Sequence, residues 1–363
     1  MKLLYKLLGV GLAFAMLTGC GKNATTPENS QTEQAQSAAS NEKKDFEIAC
    51  SNTMVSNALI ALSKYAGYYD EEGLNVNLTP LNTAAEQFPP LLTGKINVAG
   101  GGAPAPIEFI EDGNDLVIIG GSMTAGSAIF CLPERKDEFK ELNQETLGGK
   151  KVGVYRLDTG DIAFRGYLKD HGVDLSTIEF IELANSNTIM EALRKGTVDL
   201  GIIALTFRVT AEEQGFAVVK HVDELRPDFI CCRVLTTKNQ LESDRESYVH
   251  LLRAHIKAYK LLKTDPDKTV ELLQNFIKID EDVLRGQLYE YGHLGINPQP
   301  AKDKFIDFYD TMVDIKYAKG NVNIADYIDT SLFEEAITQI LEENPDDEIY
   351  KELYEEFKAT NTK

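Results

Sequence analysis

The chain has 363 residues, of which 43% are hydrophobic and 26% charged, and a formal net charge of −20 at pH 7. A surface this acidic repels nucleic acid and anionic lipid head groups, which excludes both as partners. The five histidines (His171, His221, His250, His255 and His293) show no paired ligand spacing, so no metal site is expected.

The chain opens with Lys2 and Lys6, an apolar run over residues 7–17, and the tetrad Leu17-Thr18-Gly19-Cys20. A basic start, a short apolar stretch and a small-residue cleavage point make residues 1–19 a secretory signal peptide. The apolar run is too short to cross a bilayer as a helix, which takes about 20 residues. The tetrad resembles the lipobox of bacterial lipoproteins, which implies that Cys20 is acylated and holds the mature chain to the extracytoplasmic face of the cell membrane. Residues 20–44 are dominated by Asn, Thr, Gln, Ser, Ala, Glu and Lys with no aromatic side chain, a composition that cannot bury enough apolar surface to order itself and reads as a tether.

From residue 46 the pattern becomes globular. A strand at 46–50 leads through Ser51-Asn52-Thr53 into a helix at 56–69, a strand at 74–78, a helix at 83–92 and a strand at 96–99. The same βαβαβ plan returns over a strand at 151–155, a helix at 161–169, a strand at 178–182, a helix at 187–195 and a strand at 198–201. Two such units predict a two-lobed α/β protein with its ligand cleft at the carboxyl ends of the parallel strands. The expected organisation is lobe 1 over 45–124, lobe 2 over 125–235, and a helical C-terminal part over 236–363 that packs on lobe 1. Everything after Glu242 reads as helix, in stretches at 245–263, 266–276, 280–291, 302–316, 331–343 and 349–358. Residues 120–126 and 230–236 are the expected hinges. Cys50, Cys131, Cys231 and Cys232 lie in or beside strand-like apolar runs and are expected as buried thiols, with a disulfide from one of the adjacent pair left open.

Five segments carry a family likeness in order: Gly67-Tyr68-Tyr69-Asp70-Glu71-Glu72-Gly73-Leu74, residues 92–99, Gly102-Ala103-Pro104, residues 147–154, and Lys195-Gly196-Thr197-Val198-Asp199. In these the chain resembles the periplasmic-binding-protein family of aliphatic-sulfonate, taurine, nitrate and thiamine-pyrimidine (NMT1/THI5-like) receptors. The resemblance implies a bilobed type II periplasmic-binding-protein fold with a hinge and cleft, no catalysis and no cofactor. It also implies a monomer that passes a small-molecule solute to the permease and ATPase of an ABC importer. It places the ligand contacts in strand-to-helix turns: Ser51, Asn52 and Thr53; Gly101, Gly102 and Ala103; Ser122, Met123 and Thr124; Asp158, Thr159, Gly160 and Asp161; Asn185; and Ala204 and Thr206. The chain departs from many relatives in having no Trp after its Gly201 strand.

Asp158 and Asp161 flank Gly160 at a helix start, where anion-binding relatives place uncharged residues. Two carboxylates there disfavour an anionic ligand, unless Arg156, Arg165, Arg208 or Arg233 turns into the cleft. Tyr65, Tyr68, Tyr69, Phe88, Tyr155 and Phe207 are the aromatic candidates to stack on a flat solute. A secreted sensor or adhesion module on the same fold, and a secreted enzyme, are the competing classes. For the enzyme, no G-x-S-x-G, H-E-x-x-H or G-x-x-x-x-G-K-[ST] motif occurs in the sequence.

Overall fold

The computed structural model describes residues 43–363. The expected signal peptide, the expected anchor at Cys20 and nearly all of the expected tether lie outside them. The strands are β1 (Lys44–Cys50), β2 (Leu74–Pro80), β3 (Val98–Gly102), β4 (Leu116–Ala125), β5 (Ser127–Cys131), β6 (Lys151–Tyr155), β7 (Glu179–Leu183), β8 (Leu200–Ala204), β9 (Ala217–His221), β10 (Ile230–Thr237) and β11 (Leu294–Ile296). They form a six-stranded sheet in the order β11-β4-β10-β3-β1-β2 and a five-stranded sheet in the order β7-β6-β8-β5-β9.

The sequence repeat is a structural repeat. β1 pairs in parallel with β2 and β3, and β6 pairs in parallel with β7 and β8, so each lobe holds the same 2-1-3 unit. On the inner side of each unit an antiparallel strand follows, β10 beside β3 and β5 beside β8. Strand burial follows position: β4 is buried along nearly its whole length, apolar over 116–119, while edge strand β2 alternates Leu74 and Val76 inward with Asn75 and Asn77 outward.

The chain crosses between lobes at Ala125 and Gly126, which take positive φ of 59° and 98°. It returns after β9 through the short helix Val222–Leu225 and residues 226–229. The second expected hinge, 230–236, instead lies inside β10, hydrogen-bonded to β3 and β4 within the first sheet. The first, 120–126, is mostly β4, and only its last two residues take the crossing.

Helices Lys238–Thr264, Pro266–Leu273, Ser331–Glu343 and Glu348–Thr360 share one buried core with β1, β2, β4 and the helix Ala58–Tyr65, through Leu251, Leu252, Ile256, Phe333 and Ile337. One feature breaks the all-helical reading of this part: β11 adds a three-residue edge strand to β4, while the expected helix at 280–291 is present and ends in a π turn at 286–290. Three residues are too few for a two-residue period to register. The helix Lys302–Asp314 also meets the second lobe: Arg226 Nη1 donates to Thr311 Oγ1 at 2.7 Å and Lys169 pairs with Asp314 at 2.9 Å. No described helix is long and apolar enough to cross a membrane.

Gly121 is fixed by close approach. A Cβ there would stand 2.1 Å from the Gln299 carbonyl oxygen and 2.4 Å from that of Asn297, because residues 297–299 run directly over β4.

Candidate functional site

The carboxyl ends of β1, β3 and β6 open onto one cavity of about 600 Å³, within the ~300–1,000 Å³ range of small-molecule sites. From the first lobe come the turn after β1, the start of the helix Ala84–Leu92 and the glycines that end β3. From the second come residues 155–159, and Cys231 and Cys232 of β10 close the wall between them.

Apart from Glu108, the first-lobe wall is uncharged and polar. Ser51 Oγ donates to Asn82 Oδ1 at 2.7 Å and lies 3.0 Å from Thr53 Oγ1. Asn57 is 2% exposed; its Nδ2 donates to the Ser51 carbonyl at 3.0 Å, and its Oδ1 is buried without a partner. Gly100 makes room for that amide, since a Cβ at 100 would lie 2.7 Å from Asn57 Oδ1. Phe88 and Phe109 meet edge to face, 4.9 Å between centroids, and both line the cavity. Opposite them Tyr155 is half exposed, an open aromatic face on the second lobe.

The second-lobe wall carries the charge. Leu157 takes a left-handed φ of 59° between β6 and the helix Thr159–Asp170, a conformation that costs a bulky residue about 1–3 kcal/mol and recurs at functional turns. The turn delivers Asp158 to the helix start, where its carboxylate accepts from Gly160 N at 2.9 Å and Asp161 N at 3.1 Å. Burial, then the nearby Asp161 charge, push the Asp158 carboxyl up to about 6. Arg156 is held at the rim by Glu108 at 3.2 Å.

Of the turn residues expected to touch ligand, Ser51, Gly101, Gly102, Asp158 and Thr159 line this cavity. Asp161 does not. It is fully buried, ion-paired with Arg165 Nε at 2.8 Å and accepting from Tyr317 OH at 2.9 Å, so it ties the second lobe to the chain after the helix Lys302–Asp314. Asn52, Thr53, Ala103 and Gly160 are not among the lining residues: Ala103 and Gly160 are buried, Asn52 is partly buried and Thr53 is exposed on the turn after β1. Ser122 donates to the Ser56 carbonyl, Met123 is buried in the first-lobe core, and Thr124 faces a different hollow beside Tyr259. Asn185 caps the helix Ser186–Arg194 through Thr188 N, and Ala204 and Thr206 lie at the end of β8, away from the cavity lining.

Among the four arginines considered, only Arg156 reaches the cavity. Arg165 is spent on Asp161, with its guanidinium 3.6 Å above the Phe180 ring. Arg208 pairs with Glu212. Arg233 is 1% exposed and points away, donating to the Pro300 carbonyl at 2.9 Å. Of the aromatic candidates, Phe88 and Tyr155 line the cavity, while Tyr69 is a core residue whose hydroxyl meets His255 Nε2 at 2.7 Å. The sequence reading missed Asn57, Asn82, Gln87 and the cysteine pair. Asn57 was hidden by its place in an expected helix start, where an amide reads as a cap.

Among the described residues one trio could hold a metal ion: His221, Asp223 and His293, whose donor atoms lie within 4.8 Å of one another. The two imidazoles stack face to face at 3.5 Å with 6° between planes, so their nitrogens do not converge on one point. Burial, then the adjacent His293, pull His221 down to about 4 and keep it uncharged at neutral pH.

Two α/β lobes around a solute-sized cleft at the carboxyl ends of both sheets define a periplasmic-binding-protein fold. Solved structures bear this out. The ligand-binding component of an ABC-type import system from Staphylococcus aureus, with zinc bound, matches with a TM-score of 0.67 at 16% identity over 81% of this chain and 99% of its own. The periplasmic aliphatic sulphonate binding protein SsuA from Escherichia coli matches at 0.65 with 18% identity over 78% and 92%. The periplasmic nitrate-binding protein NrtA from Synechocystis PCC 6803 matches at 0.65 with 15% identity over 82% and 89%. No curated protein matches by sequence. The chain belongs to the NMT1/THI5-like family, whose profile covers residues 52–269.

Proposed function

We propose that this protein is a lipid-anchored, extracytoplasmic solute-binding component of an ABC importer, which captures a small neutral or cationic solute with a flat ring and releases it unchanged to the permease and ATPase. The observation that carries this reading is the makeup of the cavity. Its first-lobe wall offers amides and aromatic rings, Asp158 supplies a carboxylate from the second, and the only cavity arginine is already matched by Glu108. A sulfonate or nitrate in such a site would meet the negative end of the local field, while an amine-bearing heterocycle would find a charge-assisted acceptor and aromatic faces. The Staphylococcus aureus neighbour, described as the ligand-binding component of an ABC-type import system, supports the transport role, and the signal-like start and lipobox-like tetrad in residues 1–20 support the anchor.

A thermal-shift screen of the purified protein against aminopyrimidines, amines, alkanesulfonates and nitrate tests it. A rise in melting temperature with a cationic or neutral heterocycle, which is recovered chemically intact afterwards, is the expected result. Tight binding of an alkanesulfonate, or consumption of the bound compound, overturns it.

A further inference from the structure

Consecutive residues of a strand point to opposite faces, which keeps their side chains apart. Cys231 and Cys232 break that rule. β10 carries a bulge at this point: Ile230 pairs with Thr124 and Cys232 with Met123, so Cys231 is the extra residue between them. Its carbonyl is not orphaned, because it accepts from Ala103 N at 2.8 Å. The bulge brings both sulfurs to one side, 3.1 Å apart, and both residues line the solute cavity. Cys50 and Cys131 are buried elsewhere as free thiols, in β1 and β5.

We propose that Cys231 and Cys232 are a modification site at which an external disulfide closes a vicinal disulfide in the wall of the solute cleft. The two residues already share one face at near contact, so ring closure takes a local adjustment of the bulge and no movement of the lobes. The cavity is the route by which a small disulfide reaches them. The hydrogen bond between the two sulfurs lowers Cys232 below the ordinary thiol value, and the same contact, with burial, raises Cys231 well above it. Cys232 is therefore the sulfur that attacks. Its thiolate displaces one thiolate from the external disulfide and forms a mixed disulfide. Cys231 then loses its proton, attacks Cys232 Sγ and expels the second thiolate. The two protons leave on the released thiols, so one dithiol is oxidised and one small disulfide is reduced. Closure replaces two S–H groups by an apolar face on the cavity wall, so the two redox forms present different surfaces to a solute. That this happens in the protein's own setting rests on the extracytoplasmic reading above, since an oxidising compartment supplies the disulfide.

The test is oxidation of the full chain with oxidised glutathione, followed by alkylation, tryptic digestion and mass spectrometry. Residues 221–233 form one tryptic peptide that holds both cysteines. The expected result is loss of two hydrogens from that peptide, reversed by dithiothreitol, while Cys50 and Cys131 stay free. In Cys231→Ser the peptide should gain one glutathione and lose no hydrogens internally. A wild-type peptide that stays a dithiol, or that is found linked to Cys50 or Cys131, overturns the proposal. Alkylation of acid-quenched cells reads the compartment separately: reduced thiols there, with ready closure in the purified protein, count against the extracytoplasmic reading and leave the disulfide standing.

Discussion

Replacing Asp158 by Asn tests the electrostatics of the cleft without dismantling its architecture. Asn caps a helix about as well as Asp, so the bonds from Gly160 N and Asp161 N should survive. What changes is the charge. The folded-state carboxyl sits at about 6 against an ordinary 3.8, a difference worth at most ~3 kcal/mol. Asp158 keeps part of its surface open to the cavity, which reduces the expected effect to about 1–2 kcal/mol. The sign follows from linkage. A carboxyl whose folded pKa is raised adds stability that is fully present below about 3.8 and lost as pH rises through about 6. Wild type should therefore fall behind Asp158→Asn across that window and stay behind by a constant margin at higher pH. Urea unfolding followed by circular dichroism suits a chain without Trp, and pH 4 and 7.5 bracket the transition. An Asn variant that is less stable at pH 7.5, with the gap widening upward from pH 4, would refute the raised carboxyl and the negative field built on it.

Gly121→Ala should destabilise the fold by more than ~3 kcal/mol, because its Cβ meets two carbonyl oxygens of the chain passing over β4 and neither can withdraw easily; loss of soluble protein, or a large drop in urea midpoint, checks this. Arg165→Met strips the buried Asp161 of its counter-ion and should cost roughly 3 kcal/mol, with part recovered in the double variant with Asp161→Asn. Solute affinity should change little in that double variant, since Asp161 lies outside the cavity lining. Cys20→Ala should move the protein from the detergent phase to the aqueous phase in a two-phase extraction, because residues 21–44 have no apolar grip of their own.

The parts of the fold legible in the sequence were those with local signals. Period-two and helical patterns marked both βαβαβ units and their repetition. What escaped was decided by tertiary contact. β11 is too short to show a period, and β10 reads as a crossing segment until its partners on both sides are seen. Asp158 and Asp161 look equivalent in sequence, but Asp158 takes the extended N-cap place while Asp161 lies in the first turn against Arg165 and Tyr317. The bulge that turns Cys231 and Cys232 to the same face has no signature in the residues around it, because it arises from pairing with β4. Arg165 and Arg208 pair with Asp161 and Glu212 at i,i+4 spacing, which helical register makes readable, whereas the partner of Arg233, the Pro300 carbonyl, lies 67 residues along the chain.

The central claim is that the cavity between the lobes is the solute site. Ala105 lines it and is only half buried, so Ala105→Trp fills it from the start of the helix Pro104–Glu111 without entering the core. Isothermal titration of the best solute from the screen into wild type and Ala105→Trp tests this most directly. The account predicts one solute per chain in wild type, proton release on binding as a cationic solute draws Asp158 back toward its ordinary value, and at least a hundredfold weaker binding in the variant, about 3 kcal/mol. Unchanged affinity and stoichiometry in a folded Ala105→Trp protein would place the solute elsewhere and contradict it.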